Sequence, residues 1–232
     1  FSVPVIGPWP RWFRQDQFGP EVPEEGIRAP GAADFVSRII DAAAADLLDR
    51  VYASKQTSGE ERLHGVDIAV PPELVDADAY TECRPFLAYE DDRIRVMATL
   101  TKHGAMFPSL AYRFETETAS VVFSGDTGPN KNVIELAQGA DILVHEAIDR
   151  TFALDRYGKP PYTPEQQAFV DFVLSKHTTA DLVGGIAQEA GVRKVILSHL
   201  VPANAPDEHW WEGRDDFDGE YIVGEDLDVF EL

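Results

Sequence analysis

The chain has 232 residues, 44% hydrophobic and 26% charged, enough to bury the core of one large domain or two small ones. Its formal net charge of −21 argues against a surface built to displace counterions from nucleic-acid phosphates. A single cysteine, Cys83, excludes an internal disulfide and a cysteine-based zinc knuckle, and no apolar run is long enough for a transmembrane helix. The compartment, cytoplasmic or exported, stays open.

The first thirty residues are rich in Pro, Gly and Trp and read as ordered loop. Residues 33–54 carry Phe35, Ile39, Ile40, Ala43, Leu47, Leu48 and Val51 at three- and four-residue spacing, which predicts one amphipathic helix burying that stripe. Lys55 to Leu63 reads as polar loop. Residues 93–102 alternate and predict a strand, and 109–115 with 120–124 predict a hairpin across a short polar turn.

Beyond this point strand and helix alternate. Asn130 opens a helix that Gly139 closes, and 141–145 is a short apolar strand. Thr163-Pro164-Glu165-Gln166 is a capping box with proline at the first helical position. A further helix spans 179–190, ends at Gly191, and precedes a strand at 194–198. Strands first and alternation after predict an α/β fold. The whole chain is expected to form one domain, 1–232. Its acidic tail, 207–232, has a net charge of −10 but enough aromatics to pack on the rest.

His103, His145 and His199 fall at expected strand ends, and Asp126 follows a strand through Gly125 in the same way. Ligands gather outside the carboxyl ends of strands in α/β sheets. Imidazole and carboxylate groups without cysteine suit zinc, manganese or iron. Each such residue taken singly is more often a turn or capping residue, so the set carries the argument.

Val122-Phe123-Ser124-Gly125-Asp126-Thr127, Ala140 to Ala147, His177-Thr178-Thr179-Ala180 and Val195 to Pro202 together resemble the metallo-β-lactamase superfamily, in its ribonuclease Z and arylsulfatase-like branch. The resemblance implies an αββα sandwich. It implies two divalent metal ions, zinc ahead of manganese or iron, with Asp126 bridging, His103 on the first and His199 on the second. It implies Glu146 and His177 as an acid-side pair, His177 facing the leaving group. His145 receives no ligand role and is expected to pack behind the sheet. The implied reaction is hydrolysis by a metal-bound hydroxide. The alternative is a degenerate, metal-free paralogue that serves as a binding or scaffold protein.

Two departures shape the expectation. The superfamily's His-x-His-x-Asp-His motif is absent, since no two histidines lie within five residues of each other. The chain is therefore expected to be a C-terminal portion lacking the N-terminal sheet and first metal motif. An apolar sheet face would then need an upstream segment or a second copy to cover it. Only 22 residues separate His103 from Asp126, where ribonuclease Z inserts a long arm that grips tRNA. With the net charge, this favours a small ester, phosphodiester, sulfate ester or lactone, and no nucleic acid or membrane as partner.

Overall fold

A computed structural model of the chain describes residues 3–13, 23–55, 63–74, 80–104, 106–155, 157–158 and 160–231. The sequence reading treats the chain as one domain, whereas the structure divides it into two compact units, Phe1–Pro72 and Glu73–Leu232.

In the first unit, β1 (Val3–Gly7), β2 (Arg11–Phe13) and β3 (Ile27–Ala29) precede α1 (Ala32–Ala42), α2 (Ala44–Ser54) and β4 (Leu63–Asp67). β1 pairs with β4 in parallel and β2 with β3 antiparallel, so part of the expected N-terminal loop is strand. The Asp67 carboxylate accepts the Ala33 amide at 3.0 Å and serves the open start of α1. The single helix expected over 33–54 is two, parted at Ala43. The four alanines 42–45 contain no helix breaker, and nothing in the sequence marks the break. The buried residues of α1 are Ala32 and Val36, while Phe35, Ile39 and Leu48 are exposed, against the expected stripe. Close approach decides this: a Cβ on Gly65 would overlap the Ala32 carbonyl, so α1 meets β4 through its smallest residues.

The second unit is built on β5 (Phe86–Glu90), β6 (Arg95–Leu100), β7 (Leu110–Glu115), β8 (Ser120–Phe123), α3 (Lys131–Ala137) and β9 (Ile142–Ile148). There follow α4 (Arg150–Asp155), α5 (Pro164–Lys176), α6 (Ala180–Ala190), β10 (Lys194–Val201), α7 (Asp207–Trp210) and β11 (Glu220–Val223). They form one seven-stranded sheet in the order β11-β10-β9-β8-β7-β6-β5. β5 to β8 run antiparallel to one another and β8 to β11 parallel. The expected helix signals hold. Asn130 caps α3 by accepting the Val133 amide, Thr163 forms its capping box on α5, and Gly191 closes α6 at φ 65°.

α3 and α6 lie on one face of the sheet. There Ala111, Val122, Leu143, Val195 and Leu197 meet Val133, Leu136, Val183 and Ala187 in a continuous core. Trp210, Phe217 and Tyr221 join it, so the acidic tail is part of the unit, and β11 adds a strand to the edge. Only its end is loose in packing, with Leu227 97% exposed. On the opposite face a groove of about 540 Å³ runs over Val121, Phe123, Ile142, Val144 and Ile196. Phe123 is 46% exposed there, and among the described residues of this unit no second sheet covers it.

Candidate metal centre

β6, β8, β9 and β10 all point the same way, because two antiparallel steps separate β6 from β8 and the rest are parallel. Their carboxyl ends therefore share one edge of the sheet, the edge where such sheets hold ligands. His103 follows β6, Asp126 follows β8 through Gly125 at φ 57°, Glu146 lies within β9, and His199 lies within β10. His177 caps the C-terminus of α5 and is brought in where Ile148 bridges to Thr179.

The Asp126 carboxylate stands between two imidazoles. His103 Nε2 is 3.8 Å from its Oδ2, and His199 Nδ1 is 3.5 Å from its Oδ1. His103 Nδ1 lies 3.1 Å from the Lys176 carbonyl, to which it donates, so the Nε2 lone pair is left for the site. Asp126 is itself fixed from behind: Thr101 donates to its carbonyl at 3.2 Å.

Glu146 is nearly fully buried, and its Oε1 collects three donors. The Thr127 amide binds at 3.0 Å, the Thr178 amide at 3.1 Å and His177 Nδ1 at 3.1 Å. One carboxylate oxygen thus ties the Asp126 loop to the His177 loop. Its other oxygen, Oε2, is buried with no hydrogen-bond partner among the described residues. The hydrogen bond to Glu146 raises the His177 pKa above that of a free histidine; burial opposes this, and the charges of Glu146 and Asp126 add to it.

The structure thus brings together all five residues singled out in the sequence. It also adds a role the sequence left out. His103, Asp126 and His177 each offer a ligand atom within 4.8 Å of the others, so His177 can share an ion with them. Thr127 and Thr178 contribute backbone amides, which no side-chain pattern announces. Three donors from imidazole and carboxylate, beside an orphaned buried carboxylate oxygen, fit a divalent cation.

His199 departs from the sequence reading in its setting. It does not end a strand but sits in a β-bulge between Ser198 and Leu200, at φ 50°. The bulge re-aims its ring, 54% exposed, toward Asp126. His145 also lies inside its strand, not at an end. It is buried, donates from Nδ1 to the Glu146 carbonyl at 2.7 Å, and is held below the ordinary histidine pKa by burial. The 149–163 stretch, which follows β9, opens with the helix α4. No helix among the described residues is long and apolar enough to cross a membrane.

No protein-family model matches the chain. Curated relatives do, two of them as follows. A ribonuclease Z of Mycobacterium sp. strain KMS is 30% identical over 218 residues, covering 93% of this chain and 68% of its own length. A ribonuclease Z of Mycobacterium tuberculosis strain H37Rv is 29% identical over 209 residues, 89% of this chain and 68% of its own. Among solved structures, the metallo-β-lactamase fold protein YhfI from Bacillus subtilis superposes with a TM-score of 0.50 at 20% identity. That match covers 79% of this chain and 62% of YhfI.

These relatives correct one expectation. The exclusion of nucleic acid, drawn from net charge and the short hairpin, does not stand, because the relatives are named as ribonucleases. Net charge is a weak guide here. Nearly half of the excess sits in residues 207–232, and salt screens such charge beyond about 8–10 Å.

Proposed function

We propose a function from one premise: the chain belongs to the ribonuclease Z family, metal-dependent hydrolases of the metallo-β-lactamase fold. The reading is hydrolysis of a phosphodiester bond in RNA at the edge where His103, Asp126, Glu146, His177 and His199 meet. The observation that carries it is the convergence of His103, Asp126 and His177 ligand atoms within 4.8 Å beside an orphaned Glu146 oxygen.

The reading places two cations, zinc ahead of manganese or iron, on the His103 and His199 sides of Asp126. Bound there, they would supply Lewis acidity to the phosphoryl oxygens and lower the pKa of a water. The protein's own residues do the rest. Asp126 offsets positive charge between the two imidazoles. Glu146 holds His177 by Nδ1 and favours the imidazolium; in that form His177 is not a ligand, and its Nε2 proton is left for the departing oxygen as its bond to phosphorus breaks. Thr127 and Thr178 fix Glu146 so that its charge faces His177 and not solvent. The β7–β8 connection is only four residues, 116–119, so RNA contacts are expected close to the cleaved bond rather than on an arm.

The test is hydrolysis of bis(p-nitrophenyl) phosphate and of a 5′-labelled single-stranded RNA, with zinc or manganese titrated in. Metal-dependent turnover that disappears in Asp126→Ala is the expected result. Protein that retains no metal and cleaves neither substrate would sink the reading and leave the scaffold alternative.

A further inference from the structure

β9 delivers a second carboxylate three residues beyond Glu146. Asp149 stands just past the strand, and at about 3.3 Å per residue it lies roughly 10 Å further along the chain. It is buried and fully engaged. Its Oδ1 accepts the Thr151 amide at 2.8 Å, and its Oδ2 accepts the Thr151 hydroxyl at 2.9 Å and His209 Nδ1 at 3.1 Å. Nε2 is then the remaining polar atom of the His209 ring. Asp149 and His209 line a cavity of about 470 Å³ whose other walls include Phe152, Pro202, Asn204 and Pro206. That volume is in the range of small-molecule sites. None of these residues takes part in the metal cluster.

We propose that this cavity is a nucleobase subsite, which receives an unstacked base next to the bond cleaved at the metal cluster. The inference rests on the RNA reading and names how the substrate is held. Phe152 and the two prolines supply flat apolar walls, which suit a heteroaromatic ring. The Asn204 amide offers two donors and an acceptor for a base edge, and His209, oriented by Asp149, offers one more hydrogen bond. A phosphate is the poorer fit. The Asp149 carboxylate sits against His209, and the charges of Glu208 and Glu212 bear on the same ring. Stacking does not depend on net positive charge, so this device suits a chain of charge −21.

The experiment titrates the full chain with adenosine, cytidine, guanosine and uridine, and separately with D-ribose and inorganic phosphate, following the His209 imidazole resonance. Nucleosides should shift it where D-ribose and phosphate do not. Phe152→Leu should weaken nucleoside binding about tenfold, within the range of base–aromatic stacking. Phe152→Tyr should restore it. Asn204→Ala, on an exposed position, should change the ranking of the four bases. Shifts with phosphate but not with nucleosides would assign the cavity to an anion and overturn the proposal. So would nucleosides binding no better than ribose, or to Phe152→Leu as to the unaltered protein. Hydrolysis of bis(p-nitrophenyl) phosphate, which has no base, reports on the metal reading alone, so the two can fail separately.

Discussion

Two carboxylate–histidine pairs leave the same strand three residues apart, Glu146 with His177 and Asp149 with His209, each at 3.1 Å. Both carboxylates are buried and both histidines are raised in pKa by the pairing. They differ in what is left over. Every oxygen of Asp149 is engaged, and two donors come from Thr151 in the first turn of α4, so the pair is a structural tie that presents one ring. Glu146 spends one oxygen on three donors and leaves Oε2 buried and, among the described residues, unpartnered. A buried polar atom without a partner costs roughly 1–3 kcal/mol, a cost that a site retained for chemistry can bear. The comparison teaches that the unspent valence, not the pairing, sets the proposed reactive site apart.

The largest effect that would test this contrast is expected at Asp126. Asp126→Ala should lower metal-stimulated hydrolysis by more than about 10³-fold, because the proposed cations would lose the carboxylate between them; residual metal-dependent turnover near the unaltered level would detach the cluster from the chemistry. His177→Gln should cost about 10²-fold in turnover, the contribution of one positioned acid. Metal content measured on the same sample sharpens the assignment. If it falls together with turnover, His177 is a ligand, and if it holds, His177 is the proton donor.

At the second pair the expected loss is in stability. Asp149→Ala removes the cap of α4 and the partner of His209, and should lower unfolding free energy by about 1–3 kcal/mol in urea melts while metal content holds. A fall in metal content instead would make the two pairs one network. The smallest effect is in pH. A raised folded-state pKa on His209 means its contribution is complete below the free-histidine value of about 6.5. It is lost as pH rises through the folded value. The unaltered protein should therefore lose melting temperature over that interval relative to His209→Gln, and parallel curves would show that the pair is not coupled to folding.

The parts of the fold carried by local chemistry were legible in advance. Asn130, the Thr163 box and Gly191 act within a turn of their own position, so the sequence shows them. β5 was not legible, since Phe86-Leu87-Ala88-Tyr89 is apolar on both faces and gives no alternation. β11 hides in an acidic tail and exists because β10 offers it an edge. The five side chains of the cluster could be named from strand-end position and family resemblance. What holds them could not. The amides of Thr127 and Thr178 on Glu146 come from loops 19 and 32 residues away, and a backbone N–H has no letter in a sequence.

The bulge at His199 has a consequence for protein engineering. Leu197 belongs to the core under the helices, and Leu200 packs against that same core, although an unbroken pleat would put residues three apart on opposite faces. His199 is thus one residue more than the strand needs. Shortening the chain by that residue would leave Leu197, Ser198 and Leu200 alternating as in any regular strand. Replacing it with valine would instead force a β-branched side chain into a left-handed backbone. A deletion is therefore expected to be the gentler lesion here, an inversion of the usual rule for strands. It would show that the strand carries the histidine for the site beside Asp126 and not for its own pairing.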